Sequence, residues 1–357
     1  MVFPTGECDA RMRILSIQYL RAVAALLVVV AHALLHPITY VDATYRRLGS
    51  FGVLLFFVIS GFIMVYNTGQ GRFEGGLFLR RRVERIVPLY WLVTIGVALM
   101  AVVAPAFLKN TTFSWGQLVK SLLFIPYARE NGELVPLMKL GWTLNYEMFF
   151  YCVFAALATL SVGRRVATIT ALFVVLTLIG AVVRFSAPIP KFYTEELLLT
   201  FTVGMGLGLL FLRGSFLITS LRMAPVWIAA AVLFIALAFA VSPVQPLSPT
   251  TDALFTLASA ALIALGLCVE KHIPVSRVGL TLGDASYAMY LTHMYFVAGS
   301  IVVIGKLAGP QAPWLEVVSS IALSVLIAIP FHKYIERPMS RWLRNRPPLF
   351  GRRRAAT

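Results

Sequence analysis

Charged residues are scarce in this sequence. Only 13% of its 357 residues are Asp, Glu, Lys or Arg, whereas 59% are hydrophobic, and the mean hydropathy is +0.84. This composition excludes a soluble globular protein of this length. Apolar stretches long enough to cross about 30 Å of hydrocarbon recur from end to end, and the polar links between them are too short to fold separately. The sequence therefore predicts an all-α integral membrane protein with one transmembrane domain.

Cysteine is also rare. The three cysteines, Cys8, Cys152 and Cys268, lie in the predicted N-terminal tail and inside two apolar segments, so no disulfide framework is expected. Residues 1–13 lack the apolar core of a signal peptide, and we interpret the first apolar stretch as a permanent helix.

The apolar segments predict a bundle of ten transmembrane helices. They lie at residues 14–35, 51–67, 86–105, 141–160, 166–184, 195–212, 224–241, 252–269, 283–304 and 314–333. An even number of crossings places both termini on the same side of the membrane.

The basic residues predict which side that is. With Arg21 set aside inside the membrane, twenty-one of the 31 Lys and Arg residues fall on one side and nine on the other. By the positive-inside rule the richer side is cytoplasmic. We expect a cytoplasmic tail at residues 1–13, a transmembrane domain at 14–335 and a basic cytoplasmic tail at 336–357. The net charge of +16 then follows from topology and anionic lipid, so a nucleic-acid partner is not expected.

Two ionisable residues, Arg21 and His32, lie within the first predicted helix. Because they are eleven residues apart, they share one helix face and are separated by about 16 Å along the axis. An ionisable side chain costs about 2.5–3.5 kcal/mol or more at the centre of a membrane helix, so it normally faces protein or water and marks a functional site. A membrane histidine by itself is often an interhelical hydrogen-bonding group, but the shared face of the two residues favours a functional interpretation.

Two further ionisable residues lie in later helices. Glu147 is predicted about 9 Å below the outer surface, near the level of His32, and His293 near mid-membrane. A histidine beside a carboxylate suits acid–base chemistry, because neutral imidazole accepts a proton near pH 7 while the carboxylate orients it. As structural alternatives, Glu147 is a charge favoured by its helix dipole, and His293 is a hydrogen-bonded packing residue. His36, beside Pro37 at the helix exit, is interpreted as interfacial.

Four arginines, at positions 80–82 and 85, lie at the predicted cytoplasmic mouth of the third helix. They suit anchoring to anionic lipid or a phosphate clamp, because guanidinium groups bind phosphate oxygens in a bidentate fork. The Ser-Gly pair at positions 60–61 suits close helix packing or room for a slender ligand. Metal-ligand spacing is not evident, because the histidines at 32 and 36 lack the intervening Glu of a zinc-hydrolase helix.

Six short motifs follow one another along the chain. They are Arg21 with His32, residues 56–62, the arginine-rich segment ending at 85–90, residues 142–144 with Glu147 and Tyr151, residues 286–293, and residues 336–338. Each is weak alone, but in this order they resemble the acyltransferase type 3 family of bacterial membrane O-acyltransferases over nearly the whole chain. The opening residues 16–22 are most similar to the exopolysaccharide branch, which acetylates succinoglycan-type polymers.

The resemblance implies transfer of an acyl group, usually acetyl from acetyl-CoA, to a sugar hydroxyl of a cell-surface glycan. It implies a multi-pass protein of the bacterial inner membrane, a glycan or lipid-linked oligosaccharide as acceptor, and no permanently bound cofactor. Carried over by motif, the catalytic residues are His32, Glu147 and Arg21. Donor binding is expected at Arg80, Arg82, Arg85 and Ser60, and substrate binding at Trp142, Tyr151 and His293. Residues 145–148 read Asn-Tyr-Glu-Met, so Glu147 lacks the acidic neighbour found in many relatives.

These observations combine in one mechanism. The phosphates of acetyl-CoA stay at the cytoplasmic arginines, and its pantetheine arm passes Arg21. His32 then acts as general base on the sugar hydroxyl, while Glu147 orients His32 or balances its charge. General base catalysis contributes on the order of 10²–10⁴ in rate. An acyl-His intermediate is the open alternative. Ten helices with intramembrane charges also suit a transporter or flippase of a polysaccharide precursor, although no inverted repeat is evident. A structural subunit of the export machinery is a third interpretation, but it leaves Arg21 and His32 without a task.

Overall fold

The computed structural model describes residues 14–35, 44–105, 108, 111–214, 224–241, 248–308 and 313–345. Within these ranges all regular structure is helical and no strand occurs. The helices are α1 (Leu15–Leu35), α2 (Thr44–Thr68), α3 (Gly75–Val103), α4 (Trp115–Leu122), α5 (Trp142–Ala156), α6 (Val162–Val183), α7 (Pro188–Tyr193), α8 (Leu197–Leu212), α9 (Ala224–Val241), α10 (Pro249–Val269), α11 (Arg277–Ala308), α12 (Pro313–Phe331) and α13 (Arg337–Arg344).

Each of the ten predicted segments coincides with a helix, because an apolar stretch in a bilayer must satisfy its backbone hydrogen bonds internally. Eight described helical stretches are long and apolar enough to cross a membrane, and the protein is a multi-pass membrane protein. With only 15 residues, α5 extends about 22 Å, which is less than the hydrocarbon thickness. Ten crossings and cytoplasmic termini stay predictions.

The centre of the bundle is formed by α1, α2, α8 and α11. Small residues let these helices approach closely. A Cβ at Gly61 would collide with the carbonyl of Phe201, and one at Gly204 would collide with the carbonyl of Val58, so α2 and α8 pack backbone to backbone. This contact bears out the packing interpretation of Gly61.

The segment before α5 folds into the bundle beside α3. The Tyr90 hydroxyl, halfway along α3, donates to the carbonyl of Ser121 at 2.9 Å. Gly141 lies against the Tyr90 ring, where a Cβ would be 2.6 Å from Cε2. Arg129 fastens the same segment by donating to three carbonyl oxygens, those of Val135, Pro136 and Leu137. As a result α5 begins beside the middle of α3.

At the other end of α5, a buried arginine closes the turn into α6. Arg165 is 0% exposed and lies 4.4 Å from the centre of the Phe73 ring. Its guanidinium donates to four carbonyl oxygens, those of Leu157, Ala158, Leu160 and Gly71. Arg165 therefore has a structural task, whereas its neighbour Arg164 is exposed.

Candidate active site

A cavity of about 100 Å³ lies between α1, α2, α3, α5 and α11. Most of its walls are apolar, which suits a long, thin and largely uncharged group. The polar side chains that line it come from all five helices and are those of Arg21, Ser60, Arg82, Arg85, Thr143, Glu147, Tyr151, Ser286, Tyr287 and Tyr290. Residues more than 200 positions apart therefore meet at this site.

Glu147 is the carboxylate of the cavity. Its Oε1 atom accepts hydrogen bonds from the Ser60 hydroxyl at 3.0 Å and the Tyr151 hydroxyl at 2.8 Å. The two hydroxyl oxygens lie 2.9 Å apart, so the three groups form a compact triangle. Both hydrogen bonds use the same carboxylate oxygen. Among the described residues nothing bonds to Oε2, and this oxygen is left for a group bound in the cavity.

Arg21 projects from α1 into the same cavity. Its Nη1 donates to Gln18 Oε1 at 3.1 Å and its Nη2 donates to Ser286 Oγ at 2.9 Å. Ser286 in turn donates to the carbonyl of Gly283. No carboxylate of the described residues forms an ion pair with Arg21. Neutral partners therefore hold the guanidinium in place without balancing its charge, which suits an anionic group in the cavity.

The structure divides the arginine cluster of α3. Arg82 and Arg85, one helical turn apart, line the cavity, and the buried Nε of Arg82 has no hydrogen-bond partner among the described residues. Arg80 points elsewhere and donates to Glu84 at 2.6 Å. Three guanidinium groups thus share the cavity with the carboxylate of Glu147, and this excess of positive charge suits an anionic group.

Two histidines lie farther along α1 and α11. The Nδ1 atom of His32 is 2.8 Å from the carbonyl of Val28, and Nδ1 of His293 is 2.7 Å from the carbonyl of Tyr290. The His293 Nε2 atom lies 3.3 Å from His32 Nδ1, and the ring centres are 4.9 Å apart. His293 is 0% exposed. The two imidazoles therefore form a contact between α1 and α11 in which His293 is buried and His32 is half-buried.

The predicted pairing of His32 with Glu147 differs from this arrangement. Glu147 bonds to Ser60 and Tyr151, while His32 faces His293. The depth predicted for Glu147 assumed that its helix starts at the outer surface. Because α5 begins beside the middle of α3, Glu147 lines the same cavity as Arg21, Arg82 and Arg85.

Tyr290 lies beside both the cavity and the histidine pair. It lines the cavity, and its ring centre lies 6.2 Å from that of His293. Its hydroxyl is 2.9 Å from Thr143 Oγ1, and the ring of Phe56 packs against it at 5.8 Å. The histidine pair is therefore adjacent to the cavity lining at Tyr290.

The acyltransferase-domain family matches residues 14–333. The chain belongs to the acyltransferase type 3 family. The family predicted from the six motifs is therefore confirmed.

Two relatives of this acyltransferase cover most of its length. It is 35% identical to the exopolysaccharide production protein ExoZ of Rhizobium meliloti (strain 1021), over 82% of this chain and 90% of the relative. It is 25% identical to the acyltransferase MdmB of Streptomyces mycarofaciens, over 90% of this chain and 86% of the relative. No solved structure matches the chain significantly.

The remaining predicted site residues of the acyltransferase lie at different distances from the cavity. Tyr151 and Ser60 line it, whereas Trp142 lies at the start of α5 outside the lining and packs near the rings of Phe57 and Tyr146. His36 lies outside the described residues. Among the described residues, no cluster of three or more His, Cys, Asp or Glu side chains could hold a metal ion.

Ser286 and Tyr290 line the cavity, but the sequence analysis assigned neither of them a role. A signal for Ser286 was present, because it lies two helical turns before His293 and therefore on the same face of α11. On α1, Arg21 and His32 are eleven residues apart and also share a face, so each of the two helices carries a polar cavity residue and a histidine on the same side. No comparable sequence signal identifies Tyr290 as the residue that contacts both the cavity and the histidine pair.

Proposed function

We propose that this acyltransferase transfers an acetyl group from acetyl-CoA to a sugar hydroxyl of an exopolysaccharide or another cell-surface glycan. The proposed location is the bacterial inner membrane, with the acceptor presented either as a lipid-linked oligosaccharide or as polymer. The printed name of ExoZ links that relative to exopolysaccharide production, which supports the choice of acceptor.

The charge pattern of the cavity carries the proposal. Three guanidinium groups and one carboxylate line a narrow space whose walls are mostly apolar. Exposed Arg85 is suited to the phosphates of a CoA donor, and Arg82 offers an unpartnered buried N–H to the same group. The pantetheine arm would then follow the apolar walls past Arg21, and the thioester would reach Tyr290 beside the histidines.

The proposed chemistry places the base at the far end of this path. His32 takes the proton of the sugar hydroxyl while the hydroxyl oxygen bonds to the acyl carbon. Collapse of the tetrahedral intermediate breaks the carbon–sulfur bond, and the departing thiolate receives the proton from His32. Glu147 acts in the cavity rather than on the base, where its free oxygen suits an amide N–H of the pantetheine arm. An acyl-His intermediate is the alternative route.

The acetyl content of the polymer tests the function. A deletion strain of the source bacterium is complemented with the wild-type gene, His32→Ala or Arg21→Ala, and protein levels in the membrane are measured alongside. The proposal expects polymer in every strain and O-acetyl ester only with the wild type. Loss of the polymer itself in the deletion strain would support a transporter instead. An ester that persists with His32→Ala would exclude His32 as the base.

The donor is tested with radiolabelled acetyl-CoA and two matched variants. Arg82→Ala removes a charged cavity residue, and a hydrogen bond to a charged group contributes about 1.5–3 kcal/mol, so KM for acetyl-CoA should rise about tenfold or more. Arg81→Ala removes the exposed neighbour, which does not line the cavity, and should leave KM unchanged. Equal KM values for the two variants would refute the donor site. Label bound stoichiometrically to the protein without acceptor would favour the acyl-His route.

A further inference from the structure

The hydrogen bonds of the histidine pair determine which ring nitrogens carry protons. A carbonyl oxygen only accepts, so the contacts to Val28 and Tyr290 require a proton on Nδ1 of both His32 and His293. In the neutral rings the lone pair then lies on Nε2 of each. The His293 Nε2 atom, 3.3 Å from His32 Nδ1, therefore accepts a hydrogen bond that His32 shares between it and the carbonyl of Val28.

We infer that His293 is a positioning residue that holds His32 in its basic tautomer and orientation. This inference rests on the proposed role of His32 as the base, and it replaces the substrate-binding role that the family resemblance suggested for His293. A proton on Nδ1 of His32 leaves the lone pair on Nε2, the nitrogen that takes the proton of the acceptor hydroxyl. The second ring nitrogen of a functional histidine commonly has such an orienting partner.

His293 also stabilises His32 after His32 has taken the proton. When His32 has taken a proton on Nε2, its Nδ1–H belongs to a cation and becomes a stronger donor. The lone pair of His293 receives this hydrogen bond without adding a charge to the buried pair. His293 is itself fixed, because it is fully buried and its other nitrogen donates to the carbonyl of Tyr290. An imidazole thus takes the place that a carboxylate occupies in a histidine–carboxylate pair.

Two amide variants test this role with matched chemistry. In His293→Gln the carboxamide reaches the position of the imidazole Nε2, and its oxygen can accept from His32. In His293→Asn the carboxamide reaches only the position of Nδ1, so it can keep the bond to Tyr290 but not the bond to His32. His293→Leu fills similar space without any acceptor. Acetyl transfer is measured for all three in native membranes at matched protein levels, with His32→Ala beside them.

Positioning predicts a fall in kcat with unchanged KM values. A misplaced catalytic group costs on the order of 100-fold in rate, so kcat should fall about that much in His293→Asn and His293→Leu. His293→Gln should recover at least about a tenth of the wild-type kcat, and KM for acetyl-CoA and acceptor should stay within about twofold in all variants. If His293→Leu does not fold, comparing kcat of His293→Gln with that of His293→Asn still tests the positioning role.

Other results would overturn the inference. Equal kcat in the Gln and Asn variants, wild-type kcat in His293→Leu, or a rise in the acceptor KM at constant kcat would each exclude positioning, and the last would restore a substrate-binding role. Activity retained in His32→Ala would refute the proposed function together with the role of His293. Activity that is lost in His32→Ala but kept in His293→Leu would refute only the positioning role of His293.

Discussion

Replacing Gly52 by alanine should displace the helix that carries both Arg21 and His32. Gly52 on α2 packs against α1 between the levels of these two residues. A Cβ at this position would lie 2.7 Å from the carbonyl oxygen of Ala24 and 2.9 Å from Cγ2 of Val28. Ordinary contact begins at 3.4 Å, so the backbone of α1 must retreat by the difference from 2.7 Å, about 0.7 Å.

The energy of this change combines two opposing effects. Alanine is favoured over glycine inside a helix by about 0.8–1.0 kcal/mol, whereas overpacking a tight contact costs about 1–3 kcal/mol. Gly52→Ala should therefore reduce stability by up to about 2 kcal/mol. The effect on activity should be larger than the effect on stability. A 1 Å misplacement of catalytic groups can cost about 100-fold, so we expect kcat to fall about tenfold or more.

Gly96→Ala on α3 is the matched control. No atom lies within 4 Å of a Cβ at that position, so the same substitution should leave kcat unchanged and should not lower the melting temperature. Both variants are compared for acetyl transfer in membranes and for thermal stability in detergent. If Gly52→Ala matches Gly96→Ala in both measurements, then the spacing of α1 and α2 does not control the site, and the reasoning is refuted.

Three other substitutions separate structural from functional roles. Arg165→Ala removes a fully buried side chain and its hydrogen bonds to four carbonyl oxygens, of which those of Leu157 and Ala158 also accept a backbone N–H. Because a hydrogen bond to a charged group contributes about 1.5–3 kcal/mol, this variant should lower the amount of folded protein in the membrane, whereas Arg164→Ala should not. Equal levels of the two variants by immunoblot would contradict this. Tyr151→Phe removes one of the two hydroxyl groups that donate to the Glu147 carboxylate and should lower kcat/KM for acetyl-CoA about tenfold. An unchanged kcat/KM would show that the hydrogen bonds among Ser60, Glu147 and Tyr151 do not support donor binding. Ser286→Ala removes the Nη2 partner of Arg21. This variant should also lower kcat/KM for acetyl-CoA about tenfold and should keep normal thermal stability. A loss of thermal stability with unchanged kcat/KM would instead indicate that Ser286 has a packing role.

The sequence by itself predicted the helices and the family. All ten predicted segments coincide with helices, because the need of an apolar segment to bond its own backbone groups is local and leaves a local pattern. The shared face of Arg21 and His32 is also a local property, since it follows from helical periodicity alone. The motif order was enough to identify the family, because the order of short sequences along a chain can be seen without knowing how the helices pack.

Only the tertiary structure decided which of these residues meet. Glu147 lies with Ser60 and Tyr151, and His32 lies with His293, 261 positions away in the chain. Glu147 shares a cavity with Arg21 because α5 begins where the preceding segment folds against Tyr90, and a hydropathy pattern contains no trace of that contact. The division of the arginines has the same origin, since Arg80 and Arg82 have the same chemistry and differ only in the helix face that α3 turns toward its neighbours. Periodicity assigns a residue to a face, but which neighbour covers that face, and at what depth, depends on the packing of the whole bundle.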